Sequence, residues 1–319
     1  MRWNVRNRVI AIFAICFFTI PMHSLASSSP SELVPMGQSI GVQLKLENVT
    51  FVHDVLIDEK IWFKSGDQIL KMEQVKIHST NDWKQSIAKM ESDQVTVYFS
   101  RGNKKDQISV LKNQLNDMVP FMRDHTEGIG TLTYLDPKTN EYGALGHQIV
   151  DQQIKETPPF LGGTIFLSEI ASVHKSKPGS PGYKIAKQTS IQVEAGIVEA
   201  NTIYGIFGNL LDNDLMDGRS IPTLQANEIK EGKAEILTTV NGKKVETYSI
   251  EIIKVEINTF QFKITDNRLI EKTGGILQGM SGSPVIQNGK FAGAVTHMVV
   301  DNPLKGAAIS IREMIKREP

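Results

Sequence analysis

Cysteine is almost missing from this chain. The 319 residues hold one, Cys16, inside an apolar stretch near the start. Beyond residue 26 there is thus no disulfide to staple the fold and no thiol to act as a nucleophile, which removes cysteine-based peptide hydrolysis. Net charge is missing too, because 35 basic side chains balance 35 acidic ones. A nucleic-acid-binding surface needs a concentrated basic face; the basic cluster here is Arg2, Arg6 and Arg8, and without it the rest carries −3. No histidine pair stands at metal-ligand spacing, no calcium-loop pattern occurs, and no glycine loop for phosphate is present. Neither metal nor cofactor is expected.

Long apolar runs are scarce as well. Residues 9–20 form a single one, preceded by the three arginines and followed by Ser24-Leu25-Ala26. That is the layout of a secretory signal with a small-residue cleavage site. The run falls short of the about 20 residues of a spanning helix, although Pro21, Met22 and Leu25 extend it. Residues 1–26 are therefore expected to be a signal peptide or membrane anchor that takes the chain across the cytoplasmic membrane. A Ser/Pro linker follows at 27–32.

Residues 33–112 alternate as short strands around one helix. Ile40-Gly41-Val42-Gln43-Leu44 and 49–55 read as strands, Ser65-Gly66-Asp67 as a turn, and 82–90 as a helix with Trp83, Ile87 and Met90 on one face. Order and spacing resemble a truncated PDZ domain, with Ile40 to Leu44 in the place of its peptide-binding strand. A working groove of that kind adds a peptide as an extra strand. A polar linker with Pro120 is expected at 113–127. From 128 to 319 short strands recur between turn signals without long helical periods, which points to an all-β barrel or sandwich.

The chemistry concentrates at Gly279-Met280-Ser281-Gly282-Ser283-Pro284. A serine among small residues sits on a tight turn with its hydroxyl exposed, and the N–H groups of Gly279 and Ser281 can converge on a developing oxyanion. Val285-Ile286 and 291–295, separated by Asn288-Gly289, read as a hairpin directly behind it. A serine hydroxyl needs a base within reach and an acid to orient that base. Six histidines follow residue 26: His53, His78, His125, His147, His174 and His297. His147 follows the small residues of Gly143-Ala144-Leu145-Gly146, which leave room for the serine, and His297 lies just past the hairpin. Asp266 ends a strand before the serine turn, and Asp151 lies four residues after His147. Asp212, Asp214 and Asp217 read as a solvated loop or a weak cation site.

Several stretches together resemble one family, the stage IV sporulation protein B (SpoIVB) peptidases. They are residues 33–42, Gly128-Ile129-Gly130-Thr131, 142–147, Gly205-Ile206-Phe207-Gly208, 232–237 and 263–290. The resemblance implies a mostly β chain: a chymotrypsin-like double β-barrel serine peptidase domain preceded by a small PDZ-like domain. It implies a triad of His147, Asp266 and Ser281. Only 15 residues separate Asp266 from Ser281, so either the topology differs locally from ordinary chymotrypsin-like enzymes or another acid contributes. It also implies a regulatory endopeptidase, exported into the space between forespore and mother cell, that processes itself and cleaves a membrane-complex subunit to trigger sigma factor activation. The competing reading is a secreted, non-catalytic PDZ/β-barrel module docking on such a complex; a barrel's width between His147 and Ser281 would favour it.

Overall fold

The structure is a computed structural model of the chain. It describes residues 30–58, 61–151, 157, 159–187, 193–211, 215 and 218–316. The expected signal or anchor at 1–26 and the aspartates Asp212, Asp214 and Asp217 lie outside the described residues. Among the described residues no helix is long and apolar enough to cross a membrane.

Strand β1 (Ser39–Phe51) opens the first barrel. Ile40, Val42, Leu44 and Leu46 are buried while Lys45 and Glu47 face solvent, the period of two that a half-buried strand requires. The chain then enters a module with its own core, built from β2 (Gln68–Met72), α1 (Thr80–Lys89), β3 (Gln94–Arg101) and β4 (Lys104–Leu111). Ser79 caps α1, its Oγ accepting the Asp82 N–H at 3.0 Å. Trp83 and Ile87, one turn apart, pack inward with Val49, Phe51, Ile69 and Val97.

The chain returns as β5 (Met122–Leu135), antiparallel to β1 from Phe51↔Met122 to Ser39↔Thr131. There follow β6 (Glu141–Ala144), β7 (Phe160–Leu167), β8 (Ile170–His174), β9 (Gly182–Ala186), β10 (Glu194–Val198) and β11 (Gly205–Asn209). Pairing runs β1–β5–β6–β11 on one side and β1–β7–β10 on the other. The bridge Gly196↔Leu210 joins the two ends. Six strands thus close a ring around Val42, Leu44, Leu132, Tyr142, Ile165 and Ile206.

The second barrel comprises β12 (Gly232–Thr238), β13 (Glu246–Val255) and β14 (Thr259–Ile264), then α2 (Asn267–Thr273) and the short β15 (Leu277–Gln278). It ends with β16 (Pro284–Gln287), β17 (Lys290–Val299), β18 (Asn302–Ser310) and α3 (Ile311–Lys316). Strands β12-β13-β14-β18-β17-β16 form a closed barrel. Alternate residues of each strand, such as Phe260, Phe262 and Ile264, fill it. The expected hairpin is present: Asn288 and Gly289 hold φ of 53° and 73°, the left-handed pair that a two-residue turn needs. The chain is mostly β and carries the two barrels expected.

The structure corrects three expectations. β1 is a wall of the first barrel, with Gly41 opposite Ile129 on one edge and Phe166 on the other. The stretch 40–44 therefore offers no free edge to a peptide, because both rows of backbone groups are already paired. The expected linker at 113–127 likewise contains the first turns of ordered chain before β5 and the start of β5 itself. The module is inserted between two barrel strands and does not precede the barrels. An alternating strand looks the same whichever sheet it joins.

Candidate active site

The turn 279–283 lies between β15 and β16. Gly279 and Gly282 hold φ of 92° and 91°, a region costly for any residue with a Cβ. At 282 space is also lacking, since a Cβ would stand 2.2 Å from the Thr131 carbonyl oxygen. The N–H groups of Met280, Gly282 and Ser283 donate to the carbonyls of Leu277, Val295 and Met280 at 3.0, 2.7 and 3.0 Å. Thr131 on β5 clamps the turn from the first barrel. Its Oγ1 donates to the Gly279 carbonyl at 2.8 Å, and its N–H donates to the Ser281 carbonyl at 2.9 Å. The Ser281 hydroxyl donates to the Thr296 carbonyl on β17 at 3.0 Å.

His147 is delivered by a tight bend after β6. The Gly146 N–H donates back to the Ala144 carbonyl at 2.9 Å, closing a γ-turn centred on Leu145 at φ 71°. That form is rare and strained. Beyond it the His147 Nδ1 lies 2.8 Å from the Gln148 carbonyl oxygen. A carbonyl can only accept, so Nδ1 carries the proton and Nε2 presents its lone pair. Asn201 pins the same segment: Oδ1 accepts the Ile149 N–H at 2.8 Å, and Nδ2 donates to the Ile149 carbonyl at 3.0 Å.

His147 and Ser281 line one cleft of about 540 Å³, with first-barrel residues on one wall and residues 276–281 and 295–300 on the other. His297 shares it, its ring centre 5.4 Å from that of His147 with a 31° tilt. Burial, and secondarily the neighbouring His147, lower the His297 pKa, so that ring stays neutral near pH 7. Among the described residues Glu127 and Asp151 are the carboxylates on the cleft wall, and Asp151 is buried. A larger hollow of about 710 Å³ lies among residues 225–231 and 255–258. Neither Ser281 nor His147 reaches it.

Asp266 is not brought to the cleft. It is the N-cap of α2, accepting the Arg268 and Leu269 N–H groups at 2.9 and 3.4 Å and the Ser249 N–H at 3.3 Å. The Arg268 guanidinium donates to both oxygens, from Nε to Oδ1 at 3.1 Å and from a terminal nitrogen to Oδ2 at 2.8 Å. That hydrogen-bonded guanidinium, with the backbone donors behind it, lowers the Asp266 pKa to about 2 against the pull of burial. An aspartate directly before a helix has this local task ready-made. The residues that sequence reasoning missed are Thr131, Asn201 and Thr296, whose partners lie far along the chain.

Two antiparallel barrels with a serine and an imidazole lining the cleft between them are the layout of a serine peptidase. A family model described as SpoIVB peptidase S55 matches residues 117–315. The chain belongs to that family and is a serine peptidase of it. Among solved structures it is similar to the active form of the Rv3671c protease from M. tuberculosis, at a TM-score of 0.37 and 14% identity, covering 60% of this chain and 73% of that one. The inactive form of Rv3671c protease gives 0.32 and 14%, covering 59% and 82%. Both likenesses are loose. No curated protein matches.

Proposed function

We propose that this chain is an endopeptidase in which Ser281 attacks the scissile carbonyl and His147 Nε2 is the general base. The observation that carries the reading is the shared cleft, with the serine on a glycine-framed turn from one barrel and the imidazole on a strained turn from the other. When substrate enters, the Ser281 hydroxyl leaves the Thr296 carbonyl and turns to Nε2, which takes its proton as the Oγ–carbon bond forms. The oxyanion is held by the Gly279 and Ser281 N–H groups, the donors of the turn not drawn on by the bonds described above. His147 then gives its proton to the leaving amine, and water hydrolyses the acyl-enzyme by the same route.

The tautomer-fixing task of a triad acid falls here to the Gln148 carbonyl. A neutral carbonyl stabilises the imidazolium less than a carboxylate does. Asp266 supports the barrel that presents Ser281. Family membership and the N-terminal sequence support a regulatory role outside the cytoplasm: self-processing, then cleavage of a membrane-complex subunit during sporulation.

The test uses purified residues 27–319 with labelled casein and a fluorophosphonate probe. Wild type should hydrolyse and label, while Ser281→Ala and His147→Ala should each lose at least about 10³-fold in rate. Equal behaviour of all three proteins would exclude the enzyme reading. N-terminal sequencing of the secreted species would locate self-processing.

A further inference from the structure

Lys184 on β9 is buried on every side, at 4% exposure. Its Nζ donates to three hydroxyls: Ser39 at 2.8 Å, Thr131 at 3.3 Å and Thr238 at 3.3 Å. Those residues come from β1 and β5 of the first barrel and β12 of the second. Its methylene stem covers the nucleophile turn, because a Cβ on Gly279 would lie 3.2 Å from Lys184 Cδ. The next strand over, β15, pairs in parallel with β9 through Gly182↔Leu277 and Tyr183↔Gln278, and runs directly into Gly279. An amine removed from water without a countercharge is costly to keep, and among the described residues this one bonds to hydroxyls alone.

Thr131 is the link. Its hydroxyl hydrogen is committed to the Gly279 carbonyl, which leaves its lone pairs to accept from Nζ. The amine therefore fixes the rotamer that holds the carbonyl, and the peptide plane that follows carries the turn toward Ser281. Lys184 does not line the cleft, so it is not the base.

We propose that Lys184 is a positioning residue for the nucleophile turn, acting through Thr131 to aim the Gly279 and Ser281 N–H groups at the oxyanion. This rests on the peptidase reading above. Burial brings the lysine pKa down to about 7, and among the described residues its partners are uncharged: β1, β5 and β12 each present a hydroxyl, and the turn presents backbone.

The experiment compares Lys184→Met, Thr131→Val, Thr131→Ser and the Lys184→Met/Thr131→Val double variant on casein, each shown folded by circular dichroism. Lys184→Met and Thr131→Val should each lower kcat by about 10- to 100-fold, the range of a misaimed oxyanion donor, with KM within about threefold. Thr131→Ser, which keeps the hydroxyl, should recover most of the rate. The double variant should be no slower than the slower single one. Additive losses, or an unchanged kcat in folded Lys184→Met, would overturn the proposal. Should Lys184→Met not fold, Thr131→Val against Thr131→Ser decides by the same criterion. Amide exchange over residues 277–283 gives a readout independent of catalysis: about 10-fold faster in Lys184→Met if the lysine holds the turn, unchanged if it does not. Hydrolysis indifferent to Ser281→Ala would instead sink the peptidase reading and leave the exchange result to decide this one.

Discussion

Removing the Asp266 carboxylate separates a helix cap from a catalytic acid. Asp266→Ala deletes three backbone acceptor contacts and the Arg268 pair. Loss of an N-cap costs about 1 kcal/mol. The pKa depression from 3.8 to about 2 corresponds to about 2 kcal/mol at full strength, reduced to about 1 by screening at a pair whose arginine is 68% exposed. The two figures describe the same contacts, so the expected destabilisation is about 1–2 kcal/mol, or about 3–6 °C in Tm for a domain of this size. The sign follows from a depressed acid. The stabilisation is fully present above the unfolded value of 3.8 and is lost as pH falls toward 2. The gap in Tm between wild type and variant should therefore be constant from pH 5 to 7 and narrow below about pH 4. Casein hydrolysis at 25 °C should stay within about threefold of wild type, against a loss of about 10⁴ where a true triad aspartate is neutralised. A fall beyond about 10³ in a variant with a near-native melt would refute this account and return Asp266 to the imidazole.

Lys184 gives stability a pH dependence of the opposite kind. Between about 7 and 10.5 the unfolded chain keeps the lysine proton and the folded chain has lost it, so wild type should gain up to about 5 kcal/mol over Lys184→Met as pH rises through that window, read from urea unfolding at several pH values. Gly282→Ala forces a Cβ to within 2.2 Å of the Thr131 carbonyl at a φ of 91°; unfolding in urea should show a loss of at least about 2 kcal/mol, and probe labelling should disappear. Asn201→Ala frees Ile149 from both its contacts, and kcat should drop about 10-fold with little change in KM, since a base two residues away is no longer held in line. Ser-directed labelling that is unchanged in Asn201→Ala would contradict that.

The turn that carries Ser281 was legible because its information is local: small residues around the serine and an Asn-Gly hairpin behind. The tight bend that brings His147 to the same cleft was legible for the same reason, through the small residues that precede it. Asp266 is ambiguous in sequence, because a strand-end aspartate before a helix suits a cap as well as a triad acid, and only its partners in the fold, the α2 N–H groups and Arg268, show the cap. Thr131 reads as an ordinary strand threonine, since nothing near it in sequence announces a carbonyl 148 positions away. Lys184 reads as the outward residue of a strand; burial by two barrels is a property of the assembled fold. The alternation in 40–44 specifies a half-buried strand but not its neighbours, so the same residues suit a barrel wall or the edge of a separate domain.

The module hangs from the tip of a hairpin. β1 and β5 leave the barrel side by side, with Lys45 opposite His125, and meet again as Thr50 opposite Arg123. Entry to and exit from the module are therefore neighbours, two chain ends about 5 Å apart. Val49 and Phe51 of β1 and Met122 of β5 belong to the module's own core, so headpiece and first ring share two strands, and exchanging the one means repacking the ends of the other.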